Sequence, residues 1–176
     1  MDELSQKVRL HAERVAESGA AGLAGLYDLT CQRLVRFAVT ISRNQHDAED
    51  AVQAALLRVA SEPGLLHRAE QPWPYLLRMV RNETLLVLRR KQRILRLPNL
   101  RDLVTRRNVD EVELQETHQA VWQALRRLPV EQSQVVVLKT WEEFTFAEIG
   151  EVLEISPSTA ASRYRYGMEK LQGLLS

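Results

Sequence analysis

Apolar residues recur at helical spacing along most of the chain, and nowhere do they alternate with polar residues for long enough to predict strands. Leu23, Leu26, Tyr27, Leu34, Phe37, Ala38 and Ile41 form one side of a predicted helix over 20–43. A second helix starts at Asp47, a good N-cap, and carries Ala48, Ala51, Val52, Ala55, Leu56 and Val59 at spacings of three and four. Pro63-Gly64 breaks it. Its other side is acidic and amide-bearing, with Glu49, Asp50 and Gln53. Pro72 and Pro74 lead into a third helix from Tyr75 to about Arg93. Helical patterns resume over 113–127 and 131–141, with Pro129 between them. The pattern therefore predicts an all-α protein of two small domains. Residues 1–93 form one, 94–112 a basic linker containing Pro98 and Asn99, and 113–176 the other.

Residues 145–174 carry the most specific signal, a helix-turn-helix. Thr145 followed by Glu148 is a capping box, in which hydroxyl and carboxylate satisfy orphan amide donors, and Ile149, Val152 and Leu153 then share one face. Ser156-Pro157 starts the next helix, with an N-cap oxygen and a proline at the first helical position. About three residues, Glu154 to Ser156, separate the two helices, the short connection that a DNA-reading pair needs. A capped helical hairpin packed on other helices is the structural alternative. In the second helix Ala160, Tyr164, Gly167, Met168 and Leu171 are predicted to face the core. The opposite face holds Ser158, Thr159, Ala161, Ser162, Arg165, Tyr166 and Glu169. Small hydroxylated residues followed by arginine can enter a major groove, where hydroxyls and guanidinium reach base edges or phosphates.

Charge sharpens this picture. The net charge of +1 conceals strong segregation: residues 1–75 hold eight Lys/Arg against ten Asp/Glu, 76–107 ten against two, and 108–176 six against eleven. A basic strip of this kind is the electrostatic footprint of a polyanion partner, although a solvated basic helix has the same composition. An apolar face (Leu77, Val80, Leu85, Leu88) and the preceding Trp73 and Tyr75 favour nucleic acid. If extended, a linker of about 18 residues reaches roughly 60 Å, enough to join contacts well separated along a duplex, or equally to serve as a short hinge.

The longest apolar runs are too short to span a bilayer, and the N-terminus has no signal-peptide core. Cys31 alone excludes an intramolecular disulfide framework. A soluble cytoplasmic protein is expected, with no membrane insertion. His11, His46, His67 and His118 are scattered without a metal-ligand spacing, and no phosphate-cradling glycine loop is present. No enzyme, metal or cofactor is expected.

Four segments, NQHDAEDAVQAALLRVA, PYLLRMVRNETLLVLRR, LRRLPVEQSQVVVLKTW and FTFAEIGEVLEISPSTAASRYRYGMEKL, together resemble the bacterial sigma-70 superfamily. The similarity is to its smallest, extracytoplasmic-function (ECF) type, which has only the region 2 and region 4 domains, and it runs from about Leu23 to Leu174 in the family's order. The resemblance implies a promoter-specificity subunit that binds core RNA polymerase, recognises a −10 element with region 2 and a −35 element with region 4, and helps melt the duplex. By that resemblance Asp47, Glu49, Asp50 and Gln53 dock on core polymerase. Tyr75, Arg78, Arg81, Asn82, Arg89 and Arg90 serve the −10 element, and Ser158, Thr159, Ser162, Arg163 and Arg165 the −35 element. Arg163 could instead pair with Glu148 within its own domain. An anti-sigma factor is a candidate regulator by resemblance only.

Five positions depart from the family pattern: Ala54 and Leu56 in the docking helix, Leu86 after Asn82, Ala161 in the recognition helix, and Glu154 in place of a turn glycine. If position 154 needs a left-handed backbone, the cost is about 1–2 kcal/mol. Two other readings compete with a sigma factor. One is a sigma-like mimic that titrates an anti-sigma factor, and the other a conventional helix-turn-helix regulator that dimerises through its N-terminal domain.

Overall fold

The computed structural model describes residues 3–95 and 116–175, all helices and short connections. The elements are α1 (Glu3–Ser18), a 3-10 turn (Gly19–Gly22), α2 (Leu23–Ser42), α3 (Gln45–Ser61), α4 (Gly64–His67) and α5 (Pro72–Leu95). After the undescribed 96–115 come α6 (Glu116–Arg127), α7 (Val130–Thr140), α8 (Phe146–Leu153) and α9 (Pro157–Leu175). Most of the predicted linker, 94–112, lies outside the described residues.

In the first unit α2, α3 and α5 pack mutually, with α1 laid against α2, α4 and α5. The predicted face of α3 is the buried one: Ala48, Ala51, Val52, Ala55, Leu56 and Val59 all lie in the core. Its small residues let α2 and α5 approach closely. Two details differ from the sequence reading. The N-cap of α3 is Asn44, whose Oδ1 accepts the Asp47 backbone N–H at 2.9 Å, so the helix begins before Asp47. α5 begins at Pro72, because a proline in the first turn removes an amide that would lack an intrahelical partner anyway. Tyr27, predicted for the core side of α2, is half exposed. The charged N-terminal stretch forms α1, which buries Val8, Ala12 and Val15. At Gly22 a Cβ would lie 2.6 Å from the Arg14 carbonyl oxygen, so glycine is what permits this close return of the chain.

In the second unit α9 packs against α7 and α8. Ala160, Gly167 and Leu171 are buried, whereas Tyr164 is half-buried and Met168 exposed, so the core stripe is narrower than predicted. A Cβ at Gly167 would meet Val136 Cγ2 at 2.9 Å, so glycine lets α9 lie close on α7 here. Trp122 and Trp141 stack at 5.6 Å between centroids.

The two units also pack on each other, α2 against α7 and α5 against α8. Arg43, in the left-handed region at the end of α2 (φ 55°), reaches across with both guanidinium nitrogens. Nη1 donates to the Arg126 carbonyl at 2.5 Å and Nη2 to that of Leu128 at 2.6 Å. A cation there satisfies carbonyls that the end of α6 leaves unpaired and complements its dipole. Arg33, ten residues earlier on α2, reaches the end of α7 in the same way, donating to the Trp141 carbonyl and to Glu142 Oε2.

Candidate nucleic-acid and polymerase interface

α8, the turn and α9 form the predicted helix-turn-helix. Thr145 Oγ1 accepts the Glu148 N–H at 3.2 Å, and Glu148 Oε2 accepts the Thr145 N–H at 2.7 Å, which completes the capping box. Glu154 ends α8 in the left-handed conformation, φ 57° and ψ 45°, with its N–H on the Gly150 carbonyl. Ser156 Oγ accepts the Thr159 N–H at 3.1 Å and caps α9. The same oxygen shares hydrogen bonds with the hydroxyls of Ser158 (2.9 Å) and Thr159 (2.8 Å).

Along α9, Ser158, Ser162 and Arg165 share an exposed face at spacings of four and three, while Thr159 and Arg163 flank it half-buried. The Ser162 hydroxyl donates to the Ser158 carbonyl at 3.0 Å. Arg165 is braced by Tyr166, with its guanidinium 4.9 Å from the ring centroid and Nη2 donating to the phenol oxygen at 3.2 Å. Glu148 is engaged in the capping box, and no Arg163–Glu148 ion pair forms, so that alternative for Arg163 falls away.

On α5, Arg78 lies over the half-buried Tyr75 ring at 5.1 Å from its centroid. Arg81 follows one turn on, its Nη1 3.2 Å from Glu154 Oε2 and 3.4 Å from Asn82 Oδ1. Asn82, Arg89 and Arg90 are exposed. Trp73, grouped with Tyr75 in the sequence, is fully buried. Residues two apart on a helix point to different sides. Trp73 thus belongs to the packing between units, and only Tyr75 is left beside the basic surface.

On α3, Glu49, Asp50 and Gln53 are exposed, and Gln45 Nε2 donates to Glu49 Oε1 at 2.6 Å. Asp47 differs. Its carboxylate accepts from Lys91 Nζ of α5 at 2.8 Å and is mostly buried, so it ties α3 to α5. Leu57, overlooked in the sequence, is 60% exposed on the same side as Asp50 and Gln53. Its spacing of four from Gln53 and seven from Asp50 is the signal that would have found it. Leu56, one of the departures, is buried and alters packing inside the unit, whereas Leu86 is exposed beside the basic surface of α5.

Sequence periodicity also missed Glu142. This carboxylate lies in the second unit against α2 and the start of α5, its side chain 1% exposed, with Arg33 Nη1 at 3.1 Å. Burial pushes its carboxyl up from the ordinary value, and Arg33 and then Arg36 pull it down. Its second oxygen, Oε1, has no hydrogen-bond partner, and neither does the indole N–H of Trp73. Arg36 is in turn shifted down by burial.

Among the described residues no helix is long and apolar enough to cross a membrane, and no group of three or more His, Cys, Asp or Glu side chains could hold a metal ion. The chain thus combines an acidic helix face, a basic helix with an aromatic at its head, and a capped helix-turn-helix. Residues 26–94 match the family model of sigma-70 region 2, and residues 118–171 that of sigma-70 region 4. The ECF RNA polymerase sigma factor SigM of Mycobacterium tuberculosis is 32% identical over 172 residues, 94% of this chain and 86% of that protein. The RNA polymerase sigma factor CarQ of Myxococcus xanthus is 27% identical over 164 residues, 93% and 94% of the two chains. Among solved structures, the sigma factor RpoE in complex with the anti-sigma factor NepR from Bartonella quintana aligns with a TM-score of 0.71 at 23% identity, covering 85% of this chain and 93% of that one. CnrH in complex with the cytosolic domain of CnrY aligns at 0.62 and 18%, covering 96% and 97%. These two likenesses show the fold. The chain belongs to the sigma-70 family, as an ECF RNA polymerase sigma factor.

Proposed function

We propose that each helix surface described above performs one step of promoter-directed initiation, with no catalysis by this chain itself, in the cytoplasm. Glu49, Asp50 and Gln53 of α3 dock on a basic helix of core RNA polymerase, and Leu57 supplies an apolar contact beside them. Exposed charges of this kind steer association more than they hold it. The carboxylate of Asp47, held by Lys91 at 2.8 Å, acts by fixing α3 on α5. Region 2 spans 1–93 and region 4 spans 113–176.

Tyr75 stacks on an unpaired base of the −10 element, Arg78, Arg81, Arg89 and Arg90 neutralise phosphates, and Asn82 reads an exposed base edge. Unstacking costs a few kcal/mol, and such contacts offset it. Ser158, Thr159, Ser162, Arg163 and Arg165 enter the major groove at the −35 element. The relatives solved with NepR and CnrY support a protein regulator of the anti-sigma kind for this chain as well.

The observation that carries the reading is the presence, in one chain, of two separate polar and basic helix faces for DNA and an acidic third for a protein. Exchanging Asp50 and Gln53 together for alanine tests the docking surface. Competition for core polymerase should weaken while the helical circular dichroism stays unchanged. A double variant that competes as well as the parent would remove α3 from the interface.

A further inference from the structure

Region 4 sits over the face of α5 that carries Tyr75, Arg78 and Arg81. α8 packs directly on α5. A cleft of about 280 Å³ brings Glu151 of α8 opposite Tyr75 and Arg78. One turn further along, Glu154 Oε2 lies 3.2 Å from Arg81 Nη1. The arginine is largely covered, its side chain 20% exposed, whereas Glu154 remains 60% exposed. A carboxylate therefore occupies the position against Arg81 where a phosphate oxygen would have to sit, since the two anions make the same charge-assisted contact with a guanidinium.

The backbone makes this placement more pointed. Glu154 takes up φ 57° and ψ 45° to close the turn between α8 and α9, the region in which glycine is at ease and an L side chain is not. A glycine would serve the turn equally well and could not reach Arg81. The residue in this chain is disfavoured for the backbone and makes its ion pair across the domain boundary.

We propose that Glu154 is an intramolecular latch: in the free protein its carboxylate holds Arg81 against region 4 and shields the −10 face of α5 from DNA. Core polymerase, by drawing the two domains apart, frees that face. The inference rests on the assignment of α5 to the −10 element. It gives the departure from a turn glycine a role, and it makes the isolated chain a poorer ligand for single-stranded DNA than its basic helix would suggest. Arg33–Glu142 and Arg43 on the α6 carbonyls hold the domains together beside it, so the latch controls access to Arg81 rather than the whole of domain contact.

The test uses full-length protein and a fluorescent single-stranded oligonucleotide of −10 sequence, taken from a start site mapped with the holoenzyme. E154Q removes the carboxylate and keeps the strained turn, E154G removes both, and E131Q removes an exposed charge elsewhere. Without polymerase, E154Q and E154G should each bind the oligonucleotide about two- to fivefold more tightly than the parent, the range of an exposed ion pair, and E131Q should not. With saturating core polymerase the parent and both Glu154 variants should bind and initiate alike, because the latch is already open. The latch is overturned if E154Q matches the parent in the free state, if only E154G gains, or if the gain persists undiminished in the holoenzyme, where it would reflect simple charge repulsion. Tyr75→Ala in the holoenzyme reads the −10 assignment separately: unchanged initiation would remove that assignment whatever the Glu154 variants do.

Discussion

Arg33→Ala isolates the energetics of the domain boundary. Arg33 is the partner of Glu142, a carboxylate whose side chain is 1% exposed, while the arginine itself is 38% exposed. Breaking a fully buried ion pair from one side costs about 3–5 kcal/mol, because the remaining charge is left uncompensated. Here solvent reaches part of Arg33, and Arg36 supplies a second positive charge, so the expected loss is roughly 1–3 kcal/mol near neutral pH. Each kcal/mol lowers the melting temperature by about 2–4 °C in a chain of this length. The pH dependence distinguishes a charge effect from simple loss of packing. Burial raises the carboxyl of folded Glu142 above its ordinary value of 4.5, and removing Arg33 takes away the first of the opposing influences, so the variant's carboxyl stands higher still. A raised acid binds its proton more readily in the folded than in the unfolded chain. Its contribution is most favourable at low pH and is lost as the pH rises through the folded value. The gap between parent and Arg33→Ala should therefore be largest at about pH 8 and shrink towards about pH 5. Adding Glu142→Gln to Arg33→Ala should remove that pH dependence. Thermal melts by circular dichroism across this range provide the assay. An equal gap at both ends would show that the charge of Glu142 does not matter at the boundary.

Arg165→Ala should weaken −35 recognition by about 1–3 kcal/mol if the braced guanidinium makes a bidentate base contact, and should relax preference at one base pair. Promoter selection from a randomised −35 library reads this. Thr145→Ala opens the capping box and should destabilise the second unit by about 1 kcal/mol, seen as a lower urea midpoint with an unchanged slope. Gly150→Ala would place a Cβ 2.7 Å from the Ile155 carbonyl oxygen and should distort the turn. Binding to a −35 duplex by holoenzyme should fall with it, while core binding persists.

Local signals were legible in the sequence because they act over four residues or fewer. The capping box at Thr145–Glu148, the Ser156-Pro157 start and the buried stripe of α3 are all satisfied within one helix or against one neighbour. Asn44 and Asp47 show where such reasoning loses resolution. Both are good caps, and only the geometry shows that Asn44 accepts the Asp47 N–H, so that the Asp47 carboxylate is left for Lys91, 44 residues away. The same limit hid Glu142, whose partner is 109 residues distant, and Arg43, whose left-handed backbone aims it at the end of α6. Periodicity reports which side of a helix is apolar. It says nothing of which helix lies opposite, which is why Trp73 could be read as part of a nucleic-acid surface and is in fact core. Glu154 stands between these cases. The strain at a non-glycine turn was foreseeable from its position, and its reach to Arg81 was not.

This chain gives core polymerase its choice of promoter. In vitro transcription on sheared genomic DNA from the source bacterium, with core polymerase alone and with this protein added, tests it most directly. New discrete start sites should appear that share two upstream elements and that disappear when Tyr75, Arg78 and Asn82 are replaced together by alanine. Absence of new starts, from core that initiates normally with another sigma factor, would contradict it.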